Sequence, residues 1–194
     1  STGGELARYQ PDGTFLDTSP IAGHLGGTRS LLDSPPTGAI AAEAEVRYSF
    51  SVTAAELASS PSHALTLGVV ATGSHGFVPS AARVVGLPAG VEQTTSSSSV
   101  ALFTIEAPGT YVMVLSGRAP DATGDYSLAF YLAGDTDNDR QLDGTDAANL
   151  AAAFGTQAGQ ANYLPSADAD HDGDVDTVDR QYLLAAFGFQ ADQR

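Results

Sequence analysis

Two stretches of the chain carry aspartates in one repeated pattern. Asp135, Asp137, Asp139, Asp143 and Asp146 recur 33 residues later as Asp168, Asp170, Asp172, Asp176 and Asp179. Read as 12-residue loops, these fall at positions 1, 3, 5, 9 and 12. A calcium ion takes six to eight oxygens at roughly 2.3–2.6 Å, and a loop of this kind offers them from positions 1, 3, 5, 7, 9 and 12. Position 7 supplies a backbone carbonyl, from Gln141 and Asp174 here, and position 9 often acts through water. Mg²⁺ fits such a loop less well, because it prefers a tighter octahedron and keeps more of its water. Five aspartates within one loop repel each other, and a bound cation accounts for them. A merely solvated acidic tail would not need the register to recur.

Something must hold those loops in shape. Behind each acidic stretch the same apolar pattern returns. Leu150, Ala152, Ala153, Phe154 and Gly155 match Leu183, Ala185, Ala186, Phe187 and Gly188. Each unit therefore predicts a loop followed by a short amphipathic helix that stops at glycine. Phe154, Phe187, Leu150, Leu183, Leu184 and Tyr182 are the expected core between the two helices, with surplus apolar surface left for a partner. Gly173 stands at position 6 of the second loop, where a sharp turn favours positive φ. Arg140 stands there in the first, adding strain and a positive charge. The Asp168 loop is thus the expected stronger of two Ca²⁺ sites. About 60 residues bury little surface, and the chain has no cysteine, so metal is the available staple.

These residues resemble a dockerin: paired calcium loops, each followed by a helix, lacking the entering helix of a full EF-hand and closing with Asp at position 12. The stretch before Asp135 reads as strand, in keeping with that pattern. The resemblance covers about residues 134–190. It implies a protein partner of β-sandwich type, since dockerins bind cohesins and so attach secreted proteins to scaffolds or surfaces. The partner-reading positions would be Gly144-Thr145 and Thr177-Val178, which differ between the two units.

The chain has 194 residues, 23 acidic and 8 basic side chains, and a net charge of −15. Such a balance speaks against sequence-independent nucleic-acid binding and a polybasic membrane anchor. Its apolar runs are too short to cross a membrane as a helix. Absence of cysteine excludes disulfides, thiolate metal sites and a cysteine nucleophile. An extracellular or cell-surface location is expected, with any signal peptide removed, because calcium is abundant there. From Gly134 onward, 12 aspartates stand against three arginines, a local balance of −9. This break places a domain boundary there.

Upstream of it, period-two alternation dominates. Val46, Tyr48, Phe50 and Val52 alternate with small or polar residues, as do Leu65, Leu67, Val69 and Ala71. Val100–Glu106 and Thr110–Ser116 flank an Ala107-Pro108-Gly109 turn, and Tyr126, Leu128, Phe130 and Leu132 alternate again. The fold class expected is mainly β plus small α: an antiparallel β-sandwich followed by the dockerin-like pair of loop–helix units. Residues 1–37 form an N-terminal extension, loop-rich or with edge strands near Ile21 and Leu31-Leu32. Residues 38–133 form the sandwich, and 134–194 the calcium-binding domain. The hairpin around Ala107-Pro108-Gly109-Thr110-Tyr111 and the Thr123-Gly124-Asp125-Tyr126-Ser127-Leu128 strand resemble the bacterial pre-peptidase C-terminal domain over roughly residues 40–132. That resemblance implies a non-catalytic accessory module.

No enzymatic pattern competes. Of the four histidines, His24, His63, His75 and His171, His75 reads as a loop residue and His171 as an outward loop position. Ser74-His75 is a Ser-His neighbour pair, but adjacent residues rarely form a nucleophile–base pair and no Gly-x-Ser-x-Gly elbow exists. Nothing fixes two of Glu43, Glu45, Glu92 and Glu106 at glycosidase spacing. The Thr94–Ser99 run reads as a flexible loop, with O-linked sugar as the alternative.

Three functions follow as expectations. The first is a non-catalytic extracellular calcium-binding assembly protein. Its tail docks onto a sandwich, of a neighbouring copy in a filament or matrix, with strand addition by the N-terminal segment a further route. The second is the dockerin-bearing end of a larger secreted enzyme or scaffold that binds a cohesin. The third is a carbohydrate-binding sandwich, for which Tyr111, Tyr126 and Tyr131 would serve and the lack of tryptophan counts against.

Overall fold

The computed structural model describes residues 36–191, together with the backbone of two strands, β1 (Glu5–Tyr9) and β2 (Phe15–Pro20). The expected edge strands near Ile21 and Leu31-Leu32, and His24, lie outside the described residues. Then follow β3 (Thr37–Ile40), β4 (Glu45–Val52), helix α1 (Ala54–Ser59), β5 (Leu65–Ser74) and β6 (Arg83–Val84). Next come β7 (Val91–Thr94), β8 (Ser98–Ile105), β9 (Gly109–Ser116) and β10 (Gly124–Leu132). Two helices close the chain, α2 (Gly144–Ala153) and α3 (Thr177–Ala186).

The strands form two five-stranded antiparallel sheets. One has the order β2-β1-β4-β9-β6, the other β3-β10-β5-β8-β7. Alternation decides which side chains face inward. In β4, Val46, Tyr48, Phe50 and Val52 are buried while Arg47 is exposed. β4 pairs β9 over eight residues, from Glu45 opposite Ser116 to Val52 opposite Gly109. Deep in the core the Tyr48 and Tyr126 hydroxyls, one from each sheet, hydrogen-bond at 2.6 Å, which satisfies both polar tips where water is excluded.

The second sheet departs from simple alternation. Leu65, Leu67, Val69 and Ala71 of β5 enter the core as expected, yet the opposite face is covered as well. Val100 and Leu102 of β8 pack there with Ala133, Ala169, Val70, Val91 and Tyr182. A strand buried on both faces reads as a continuous apolar run, and Val100-Ala101-Leu102-Phe103 is one. The cover is the acidic C-terminal part. The larger hydrophobic cluster likewise runs from Ile40 through the strands to Leu142, Leu150, Leu183 and Phe189. Packing is therefore continuous across residue 134, where the composition changes.

Two local elements escaped pattern reading. Helix α1 starts from a capping box in which Thr53 Oγ1 accepts from Glu56 N at 3.1 Å and Thr53 N donates to Glu56 at 2.7 Å. Its signal, Thr-x-x-Glu, stands in the sequence. The Thr94–Ser99 run is a tight hairpin rather than a loose loop. Thr94 belongs to β7, Ser98 and Ser99 to β8, and Ser99 Oγ is buried against Ser80 O at 2.7 Å. Among the described residues, no helix is long and apolar enough to cross a membrane.

Candidate metal centres

β10 ends at Leu132 and delivers the chain directly into the first acidic loop. The sequence repeat becomes a repeat of hydrogen bonds. Asp135 Oδ2 accepts from Arg140 N, and Asp168 Oδ2 from Gly173 N, both at 3.0 Å. Asp139 Oδ1 accepts from Gln141 N at 2.8 Å, and Asp172 Oδ1 from Asp174 N at 3.1 Å. Each loop thus curls around its own carboxylates, with their remaining lone pairs turned to a common centre. Asp135, Asp137 and Asp139 bring one oxygen each within 4.8 Å of one another, and so do Asp168, Asp170 and Asp172. Each of these two triads could hold a metal ion.

The later positions do a second job. Asp143 and Asp176 cap α2 and α3, accepting from Thr145 N and Val178 N at 2.6 Å. Asp146 and Asp179 reach back as the other half of a capping box, accepting from Asp143 N and Asp176 N at 2.8 and 2.7 Å. Their other oxygens accept from Thr136 N at 2.7 Å and Ala169 N at 2.6 Å. Position 12 is therefore locked between loop and helix. Gln141 and Asp174 present their position-7 backbones in the matching isolated bridges, Gln141 to Gln190 and Asp174 to Gln157.

The two units interlock. Leu142 of the first loop exchanges bonds with the segment after α3: its N–H donates to Phe189 O at 3.0 Å, and its carbonyl accepts from Gly188 N at 2.7 Å. Val175 of the second loop does the same with the segment after α2, donating to Thr156 O at 2.9 Å and accepting from Gly155 N at 2.8 Å. Neither loop can complete its backbone pairing alone.

The small core differs from expectation. Leu150 and Leu183 are buried, but Phe154, Leu184 and Phe187 are 46, 57 and 41% exposed. Phe154 and Phe187 are the C-cap residues, where the backbone leaves helical geometry and turns the ring outward. Phe189, Leu142 and Val175, drawn in by the crossed pairing, fill the interior instead. Arg140 takes φ +70°, close to the +98° of Gly173, so the first loop keeps its turn at a strain cost of about 1–2 kcal/mol.

One atom speaks for a cation. Asp135 is 7% exposed and its Oδ1 is buried without a hydrogen-bond partner. An ionised oxygen in that state is costly unless a positive partner satisfies it. Loss of water around the Asp135 carboxyl, with Asp146 nearby, pushes its pKa up to about 6. Burial, with Asp172 and Asp179 nearby, raises Asp170 to about 6 as well. Without metal, the folded protein holds these protons up to about pH 6. The stability these two groups give is thus full below their ordinary value of 3.8 and lost as pH rises through about 6. Metal competes with that proton. From pH 7 to pH 5, metal affinity of each loop should fall by about tenfold. A direct titration at both pH values checks this, and equal affinities would refute it.

The other singled-out groups are elsewhere. His75 Nδ1 meets Asp125 at 2.8 Å and Ser74 Oγ at 3.4 Å. Both share one ring nitrogen, so no serine–histidine–aspartate relay exists there. Glu45 is held by Arg47 at 2.9 Å and by Arg83. His171 is exposed, its ring tilted against that of Tyr131 with centroids 5.1 Å apart. Tyr126 is buried, Tyr111 stacks on Phe50, and Tyr131 is hydrogen-bonded to Ala169 O. In comparisons with known proteins, the chain matches no family model, no curated protein and no solved structure.

Proposed function

We propose that this is a non-catalytic, extracellular calcium-binding assembly protein, in which a dockerin-like pair of calcium loops is joined to a β-sandwich. The buried, unpartnered Asp135 Oδ1 is the observation that carries the reading. It asks for a cation at a position that the repeat occupies twice. Calcium suits the donor set best, because all donors are oxygen and the 1-3-5-7-9-12 spacing is that of a flexible 12-residue loop. Zinc and copper favour nitrogen and sulfur ligands. The exposed apolar side chains support docking. Leu184 and Phe154 border a groove of about 400 Å³ with Leu150, Leu183, Ala147 and Ala151, and Arg180 stands at its side. Exposed large apolar residues clustered around a concavity mark a protein contact.

Particle size against calcium tests the reading, by sedimentation and electron microscopy with a chelator control. Growth with calcium, reversed by chelator, is the expected result. A monomer that takes up calcium yet never associates would instead favour a foreign partner of cohesin type. A chain that takes up no calcium would overturn the proposal.

A further inference from the structure

The two loops share their turn and capping bonds but differ in what holds them from outside. Backbone carbonyls of the Asp168 loop are held from outside. Tyr131 of β10 donates its hydroxyl to Ala169 O at 2.8 Å, and Gln93 of β7 donates Nε2 to Asp170 O at 2.9 Å. Ala169 and Asp170 are loop positions 2 and 3, and Asp170 belongs to the aspartate triad. Ala169 is fully buried among Val100, Leu102 and Ala133. Tyr131 is itself placed with care. Its ring lies flat over Gly68 of β5, where a Cβ would stand 2.0 Å from Cζ, and it meets the His171 ring at 66°, centroids 5.1 Å apart. In the Asp135 loop the position-2 carbonyl, Thr136 O, accepts instead from Ser166 Oγ at 2.6 Å, and Asp137 at position 3 is exposed where Asp170 is buried.

We propose that the second sheet is a working part of the second calcium site: Tyr131 and Gln93 are positioning residues that fix the Asp168 loop for its ion, and that ion in turn clamps the loop to the sheet. The inference rests on the calcium reading above. Hydrogen-bonding a loop carbonyl from outside limits the conformations the loop must give up on binding, and such preorganisation raises affinity. Linkage makes the effect mutual: whatever the sheet adds to ion affinity, the ion adds to sheet docking. The Asp135 loop draws its outside bond from Ser166, in the segment leading into the second loop, and not from the sheet, so the two sites are held by different parts of the fold. The Asp168 site couples to the second sheet, and the Asp135 site to its partner unit.

The test is a calcium titration of the full chain followed by amide NMR. The Gly173 amide reports filling of the Asp168 loop, and the Arg140 amide that of the Asp135 loop, since each bonds its position-1 carboxylate. Tyr131→Phe keeps the ring over Gly68 and removes only the hydroxyl. Gln93→Leu keeps the size and removes only the donor, and it serves should the first variant fold poorly. Each should raise the calcium midpoint at Gly173 by roughly three- to tenfold, the worth of one hydrogen bond, and leave that at Arg140 in place. Unchanged midpoints at Gly173, or equal shifts at both amides, would overturn the inference while the calcium reading stands. Absence of calcium uptake by either loop of the parent chain would remove both.

Discussion

Chelating calcium should lower the midpoint of thermal unfolding by roughly 20 °C relative to saturating calcium. The size follows from linkage. An ion present at about a thousand times its dissociation constant stabilises the folded chain by about 4 kcal/mol, and two sites double that. A chain of this length shifts by about 2–4 °C per kcal/mol. The effect should not stay local, because the crossed pairing of Leu142 with Gly188 and Phe189, and of Val175 with Gly155 and Thr156, makes each loop a support for the other. Without ions, three carboxylates of each loop stand within 4.8 Å of one another, and Asp135 Oδ1 lacks the partner its burial demands. Circular dichroism melts in calcium and in chelator measure the shift. A change of only a degree or two would mean that no ion contributes to folding, and the calcium reading would then fail.

Replacing Gly134 by alanine should cost about 3 kcal/mol, or roughly 10 °C in the same melt. Two independent penalties add. Gly134 has φ +100°, where side-chain-bearing residues are strained, and a Cβ there would meet Leu183 Cα at 2.7 Å and its Cβ at 2.9 Å. The nearer obstacle is helix backbone, which cannot rotate aside. Gly134 joins β10 to Asp135, so any relief must move either the strand end or the first ligand. Gly144→Ala is the control. It opens α2, with nothing within 4 Å of the added carbon, and should be neutral or stabilising by under about 1 kcal/mol. Two equally harmful substitutions would show that the close approach to Leu183 is not the cause.

Much of the site was legible along the chain because its donors are local. Each set of carboxylates spans 12 residues, and its geometry is written by spacing and by one turn. The 33-residue repeat returned as matched bonds, down to Arg140 N and Gly173 N at the same distance from their position-1 carboxylates. The strands were legible where one face meets a core and the other meets water, as in β4 and β10. They were less so in β8, whose second apolar face already pointed to a cover the alternation rule does not expect. Helix α1 was missed for its brevity, although Thr53 and Glu56 announced it.

What sequence could not decide was every contact between distant segments. It placed Phe154 and Phe187 in the small core, since a repeat marks apolar residues without saying which way a helix cap turns them. Phe189 took that place through bonds to a loop 47 residues away. It marked residue 134 as a break in charge, whereas apolar packing runs through it. Gly68 and Tyr131, 63 residues apart in the chain, explain each other only once β5 and β10 are side by side. The two acidic loops, their helices and the alternating strands could be read along the chain, because spacing and period are properties of neighbours in sequence. That the Asp168 loop is seated on a sheet while the Asp135 loop is held by the segment before its partner emerges only on folding, because burial is a property of neighbours in space.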